Sequence, residues 1–379
     1  MQILWNELKK IMTWKIFVLL FIVNAIMYYM FIQFDIEHFP NGRPALDSYN
    51  IGIEMIEKYG THMDEFEFAD FKKTYDMQVE EINEFLQTRS DFVEAGMETY
   101  TELRNFDREN EELSALYSNL LFVENNDLVW ELQERERLIG FYERKEEILG
   151  NYLKNAEPWQ KERYFEMVEK GLYQVYSEVV ISNFKTFILS VAITIVISVV
   201  IFISPIFLKD RMVQLHFIQY ASKKGRSLYK TKVLAGFIST LLLITTLLIV
   251  YLSFYSLNNT SMYFGVPVHM FISGFNWYDP TFGQFIVLNI VAIYVLGLIM
   301  ALLAMVFSSV VPNYIVLIGV QIPIIVGVIG YGLLYLITNI IAIWIPQSVA
   351  PTAYTSTLLI GIGLLMYMWK REKNRNILE

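Results

Sequence analysis

FKTFILSVAITIVISVVIFISPIF, residues 184–207, holds one charge, Lys185, and one proline, Pro205, in 24 positions. As a helix it is about 36 Å long, enough to cross the roughly 30 Å of hydrocarbon in a bilayer. Lys185 lies near one end, where it can snorkel to the outer interface, and Pro205 falls near the inner end. A core helix of a soluble domain needs neither this length nor this continuity, so the stretch reads as a membrane span.

The residues that follow set its direction. Lys209, Arg211, Lys223, Lys224, Arg226, Lys230 and Lys232 stand against a single acid, Asp210, and such an excess of basic residues marks a cytoplasmic loop, 209–232. Around it the apolar runs 14–34, 182–208, 233–255, 282–307, 314–333 and 352–369 are each long enough to cross. Residues 308–313 make a tight cytoplasmic turn at Pro312 and Asn313. The loop 256–281 has one charge, Asp279, and aromatic residues suited to an outer interface. Residues 334–351 are apolar but contain Asn339, Pro346, Gln347 and Ser348. If they crossed, the basic tail 370–379 would face the side opposite the basic loop, so a re-entrant or broken outer segment is expected instead, with Pro323 and Pro346 as helix breaks.

Residues 1–13 place Ile3, Leu4, Leu8, Ile11 and Met12 near one another on a helix, with Glu7, Lys9 and Lys10 between them and Trp5 at headgroup level. That pattern predicts a cytoplasmic amphipathic helix, the alternative being a ragged extension of the first span. The run 14–34 lacks a small-residue cleavage site and is expected to be a retained span.

Charge divides the chain into two materials. Residues 35–181 carry 34 Asp or Glu against 15 Lys or Arg, whereas the remainder carries 5 against 15. The first region is therefore expected to be a soluble extracellular domain, mainly helical: Phe68, Phe71, Tyr75, Val79, Ile82 and Leu86 recur at helical spacing, a break is expected at Gly96, and further helices at 111–122, 128–153 and 158–180. Its aromatic residues read as core filling, and its many carboxylates as a solvated face. With no cysteine, disulfides and thiolate chemistry are excluded. The fold expected is an all-α polytopic membrane protein, with six transmembrane helices, a re-entrant segment before the last, and a mainly helical extracellular domain.

This layout resembles the membrane-spanning permease subunits of type-2 ABC exporters, in the subgroup with a large extracellular domain after the first span. The resemblance is carried by Asn6-Glu7-Leu8-Lys9-Lys10, which looks like the family's opening helix, by Asp210 after the second span, and by Tyr220-Ala221-Ser222-Lys223-Lys224-Gly225-Arg226-Ser227-Leu228-Tyr229-Lys230-Thr231-Lys232, which resembles the family's coupling loop. It implies a bacterial cell-membrane protein with both termini cytoplasmic, a separate ATPase subunit that binds ATP and magnesium, and a second permease copy or related permease as partner. Met212, Leu215, Phe217 and Ile218 would dock on the ATPase, with Gly225 and Arg226 beside them. Lys223, Lys224, Lys230 and Lys232 would set topology or meet lipid headgroups. The chain has no glycine-rich phosphate loop and no histidine cluster, so no cofactor is expected on it, no catalysis by itself, and no nucleic-acid partner. The function implied is efflux of an apolar or amphipathic substrate, such as a peptide, antibiotic, lipid or drug. The rival readings are a membrane sensor or scaffold that binds ligand through the outer domain, and a secondary transporter, which would often carry ionisable residues near the midplane.

Overall fold

Apolar runs with no turn residues can satisfy their backbone groups in hydrocarbon only as helices, and helices are what they form. The computed structural model describes residues 2–215, 218–219 and 225–374. Among these residues there is no strand, and six helices are long and apolar enough to cross a membrane: Trp14–Glu37, Val179–Met212, Gly225–Asn258, Phe282–Val310, Tyr314–Thr338 and Val349–Asn374. We number them spans 1 to 6. The expected number of six is met, and the third begins at Gly225 rather than at residue 233 because the basic residues there are good helix formers.

Two compact units emerge. One comprises Met1–Glu37, Asn183–Asn259 and Gln284–Glu379; the other comprises His38–Ser182 and Thr260–Gly283.

In the first unit, spans 2 and 4 are largely buried, whereas spans 1, 5 and 6 leave most of their surface open. At one rim, Asn183 and Asn258 both donate to the carbonyl of Asp35, at 2.8 and 2.9 Å, joining the ends of spans 1, 2 and 3. At the other rim the amino-terminal helix Gln2–Ile11 meets the end of span 2 and the start of span 3, and Tyr229 lies 5.8 Å from Trp369 of span 6. The described ends of the chain therefore share a rim. Span 5 departs from the expected break: Pro323 lies inside the α-helix Tyr314–Gly327, and the change of geometry comes after it, as π-turns at Val328–Gly332 and Leu334–Thr338. A π-turn absorbs an extra residue without ending the helix. Turns then lead through Pro346, whose carbonyl accepts from Val349 N at 2.9 Å, into span 6.

In the second unit the periodic stretch forms the helix Glu65–Gln87, started by a reciprocal cap in which Asp64 accepts from Phe66 N and Glu67 N while Glu67 accepts from Asp64 N. Its Phe68, Phe71, Ile82 and Leu86 are buried. Helix Asp127–Glu143 packs beside it, and Ala45–Tyr59 packs on Asp127–Glu143. The long helix ends at Gln87, a short helix Ser90–Glu94 follows, and after Gly96, in the left-handed region, the chain restarts at Thr99, which caps Tyr100–Asn105. The helix expected to 180 stops earlier, at Gly171 in the left-handed region (φ 62°). Beyond it, Val175 N and Tyr176 N both donate to Met270 O, at 2.7 and 2.9 Å, and Ile272 N donates to Tyr176 O at 2.8 Å. The loop expected at an outer interface is thus part of this unit's core. Tyr263, Phe271 and Phe275 are buried, with Phe275 set edge-on to Tyr152 and Tyr164 at 5.0 and 5.7 Å. Tyr263 donates to Tyr49 O at 2.7 Å, and a Cβ on Gly52 would collide with its hydroxyl.

Arg163 ties the two segments further, donating to Asp279 at 2.5 Å and to Asn276 O at 3.0 Å, while His269 Nδ1 lies 3.0 Å from Asp279. Burial pushes the Asp279 carboxyl up, but His269 and Arg163 outweigh it and hold it below the usual carboxylate range. Its contribution is therefore complete above pH about 4, the ordinary value, and is lost as pH falls through the depressed folded value. A peptide of residues 260–283 should bind a fragment of residues 38–182 and raise its urea midpoint. The gain should correspond to about 3 kcal/mol or more, since several aromatic rings become buried, and should shrink below pH about 4. An unchanged midpoint would show that the fragment closes its core without the second segment.

Candidate functional site

Pro205 starts the last helix of span 2, Pro205–Met212, and so leaves its first donors without α-helical partners. Ser308 of span 4 takes them: its Oγ accepts from Phe207 N and Leu208 N, each at 3.2 Å. The helix ends after Met212, and Gln214 turns the chain with φ 55°.

Asp210 stands in the final turn of that helix and is 4% exposed, as are Glu7 of the amino-terminal helix and Lys232 of span 3. Lys10 Nζ donates to Glu7 Oε1 at 2.9 Å and to Asp210 Oδ2 at 3.2 Å. Lys232 Nζ donates to the same Asp210 oxygen and lies 3.9 Å from Glu7 Oε2. Gln219 Nε2 adds a third donor to Asp210 Oδ2, at 2.7 Å. Two buried carboxylates are thus balanced by the buried Lys232 ammonium and by Lys10, which reaches in from a half-exposed position. Burial works against the Lys10 charge, but hydrogen bonds and charges from Glu7 and Asp210 outweigh it and hold its pKa above the ordinary lysine value.

An aromatic wall closes the cluster. Phe207 stacks on Tyr229 at 4.8 Å, and the Lys232 ammonium lies 5.7 Å from the Phe207 ring. Beside it is a cavity of about 40 Å³, lined by Asp210, Arg211, Gln219 and Arg226 among others. That is space for a few water molecules. The site is a joint between segments.

The expected site residues divide around this joint. Met212, Leu215 and Ile218 are exposed, Ile218 at 70%, and lie on the short segment that Gln219 anchors to Asp210. Phe217, Lys223 and Lys224 lie outside the described residues. Gly225 and Arg226 form a tight turn at the head of span 3, and Arg226 donates to Lys373 O at 2.6 Å, supplying a partner to a carbonyl at the end of span 6. Lys230 is exposed, 5.0 Å from the Trp369 ring. Lys232, expected among the topology and lipid cations, is buried on the Asp210 carboxylate and cannot meet a headgroup; the paired charge keeps it inside. Glu7, which periodicity puts on the polar side of the amino-terminal helix, is buried for the same reason. Sequence reasoning missed Glu7, Lys10 and Gln219. The available signal was the i,i+3 spacing of Glu7 and Lys10 and the isolation of Asp210 among bases. Among the described residues, no group of three or more His, Asp or Glu is placed to hold a metal ion.

Removing one member strands a buried charge, which costs about 3–5 kcal/mol. Asp210→Asn and Lys232→Met should each lower the melting temperature of the detergent-purified protein sharply, and the double variant should regain most of the loss. Strictly additive losses would mean that the two groups do not depend on one another.

No protein-family model, curated protein or solved structure matches this chain.

Proposed function

We propose that the chain is the membrane-spanning subunit of an ATP-driven exporter, working with a separate ATPase subunit that holds ATP and magnesium. The observation that carries this reading is the joint at Asp210. An exposed apolar segment bearing Met212, Leu215 and Ile218 is linked through Gln219 to Asp210, and through Asp210 to Lys10 of the amino-terminal helix and Lys232 of span 3. A displacement of that segment by a docked partner has a direct polar route into two transmembrane helices. In this arrangement the rim that holds the joint is cytoplasmic, as its basic loop favours, the termini lie on that side, and the acidic unit is extracellular. Residues 339–348 turn back within the outer leaflet. The substrate is apolar or amphipathic, because the spans are sparsely charged, and a second permease copy or a related permease completes the path along the open faces of spans 1, 5 and 6. A membrane-anchored sensor or scaffold is the rival reading, and it needs no ATPase.

The test is copurification. Leu215→Asp with Ile218→Asp puts charge into the docking surface, where a buried, unpaired charge is expensive. ATPase association and substrate-stimulated hydrolysis should fall at least roughly tenfold, equivalent to about 1.4 kcal/mol, while membrane yield stays unchanged. Undiminished association would remove the coupling assignment. Failure of the unaltered chain to associate with any ATPase would favour the scaffold.

A further inference from the structure

Among the described residues of the second unit, two carboxylates are almost fully buried, Asp47 and Glu134, each 2% exposed. Their surroundings differ. Glu134 accepts from Arg137 with both oxygens, at 2.8 and 2.7 Å, the arrangement that a buried carboxylate needs. Asp47 has no such partner. Its Oδ1 lies 3.4 Å from Arg43, longer than the roughly 2.7–2.9 Å of a charge-assisted hydrogen bond, and its Oδ2 is buried with no partner at all. Arg43 is also shared, since it donates to the exposed Asp127 carboxylate and to Asp127 O, the latter at 3.5 Å.

The groups around Asp47 do not make up the deficit. Helix Asp127–Glu143, on which Ala45–Tyr59 packs, presents Asp127 and Glu131, and both repel a second negative charge. Glu131 is itself engaged, accepting from Gln78 at 3.0 Å. Arg135, the buried cation of that helix, is one turn further on and bonds Glu54, two turns along from Asp47. The segment Thr260–Gly265 packs on the same helix and brings Tyr263, which donates to Tyr49 O, but no charge. A buried carboxylate held this loosely is costly, whereas the neutral acid costs much less. Burial therefore pushes the Asp47 carboxyl up, to about 6; Arg43 pulls it down, and Glu131 and Asp127 add to the rise.

We infer that Asp47 is a proton-binding site, and that its protonation in mildly acidic medium fastens helix Ala45–Tyr59 to helix Asp127–Glu143. The proton goes to Oδ2, the oxygen without a partner, and Arg43 is left to Asp127. Because the folded unit binds this proton more tightly than the unfolded chain does, stability is gained as pH falls through about 6 and the gain is complete below about 4. The sign is opposite to that of Asp279, whose contribution is lost at lower pH. The site is independent of any ATPase.

Hydrogen exchange of the full chain in detergent, read by mass spectrometry and corrected for the intrinsic rate at each pH, tests the assignment. Peptides within residues 45–59 and 127–143 should be protected roughly tenfold more at pH about 5 than at pH about 7.5, the ratio that a carboxyl at about 6 when folded and about 4 when unfolded gives. Asp47→Asn, neutral at every pH, should show the higher protection throughout and lose most of the dependence. Arg43→Gln removes the one cation on the carboxyl and should move the midpoint of the change to higher pH. Difference infrared spectra between the two pH values should contain a protonated-carboxyl C=O band that is absent from Asp47→Asn. An equal gain in Asp47→Asn would assign the acid effect to the unit's other carboxylates or its histidines and overturn the proposal. Protection that falls toward pH about 5 in the unaltered chain, or a midpoint unmoved in Arg43→Gln, would overturn it as well.

Discussion

Three buried charges in one place, Glu7, Asp210 and Lys232, are tolerable only together and with the half-exposed Lys10 that caps them. The desolvation cost of each ion is several kcal/mol, and it is recovered only when opposite charges lie within hydrogen-bond distance and the remaining donors and acceptors are filled. That condition requires the amino-terminal helix, the end of span 2 and the start of span 3 to keep one relative position. Gln219 is bound by the same condition, since its amide completes the donor set on Asp210. The amino-terminal helix is therefore held by more than its apolar stripe: its only acid turns inward to balance the charges on two other segments.

The same rule operates more quietly along the spans, where no water is at hand to satisfy a polar group. Asn24 donates to Ser198 and accepts from Tyr251, joining three helices, and Ser204 donates to Gln321 between spans 2 and 5 at 3.0 Å. Close packing assists where side chains are small: a Cβ on Gly236 would lie 2.7 Å from the Met305 sulfur, so that glycine lets spans 3 and 4 approach closely. Spans 1 and 5 are looser in geometry. Each includes π-turns, at Tyr28–Ile32 in span 1 and at Val328–Gly332 and Leu334–Thr338 in span 5, and such turns widen the helix without breaking its ladder.

The acidic unit holds none of the candidate spans in full. It needs a core of its own, and Ile82, Leu86, Phe92, Tyr100, Leu120 and Leu132 make one centre of it. Its second segment, Thr260–Gly283, adds buried aromatic rings and backbone bonds to Met270 O, together with an Asp279 carboxylate held by Arg163 and His269. The unit is thus assembled from two separate pieces of chain, and its folding cannot be local.

Length and period were readable from residue order alone. Continuous apolar runs of 18 or more residues cross a membrane as helices, which is why six such helices were countable, and the spacing from Phe68 to Leu86 announced one buried face. The reciprocal cap at Asp64 and Glu67 was equally local and stood in the sequence unread. What residue order left open was everything that depends on a partner far along the chain. Helix propensity would carry residues 158–180 onward, and Gly171 ends the helix locally in the left-handed region, but the pairing of Val175 and Tyr176 with Met270 O needs the distant segment. Charge bias would send Lys232 to the headgroups, and periodicity would send Glu7 to solvent, yet each is buried by an opposite charge supplied from another segment. Local sequence determines what a segment can be, because backbone hydrogen bonding and hydrophobic period are short-range. Whether a charge stays in water is a difference between desolvation and pairing, and the pairing exists only once the tertiary structure has brought residues 7, 10, 210 and 232 together.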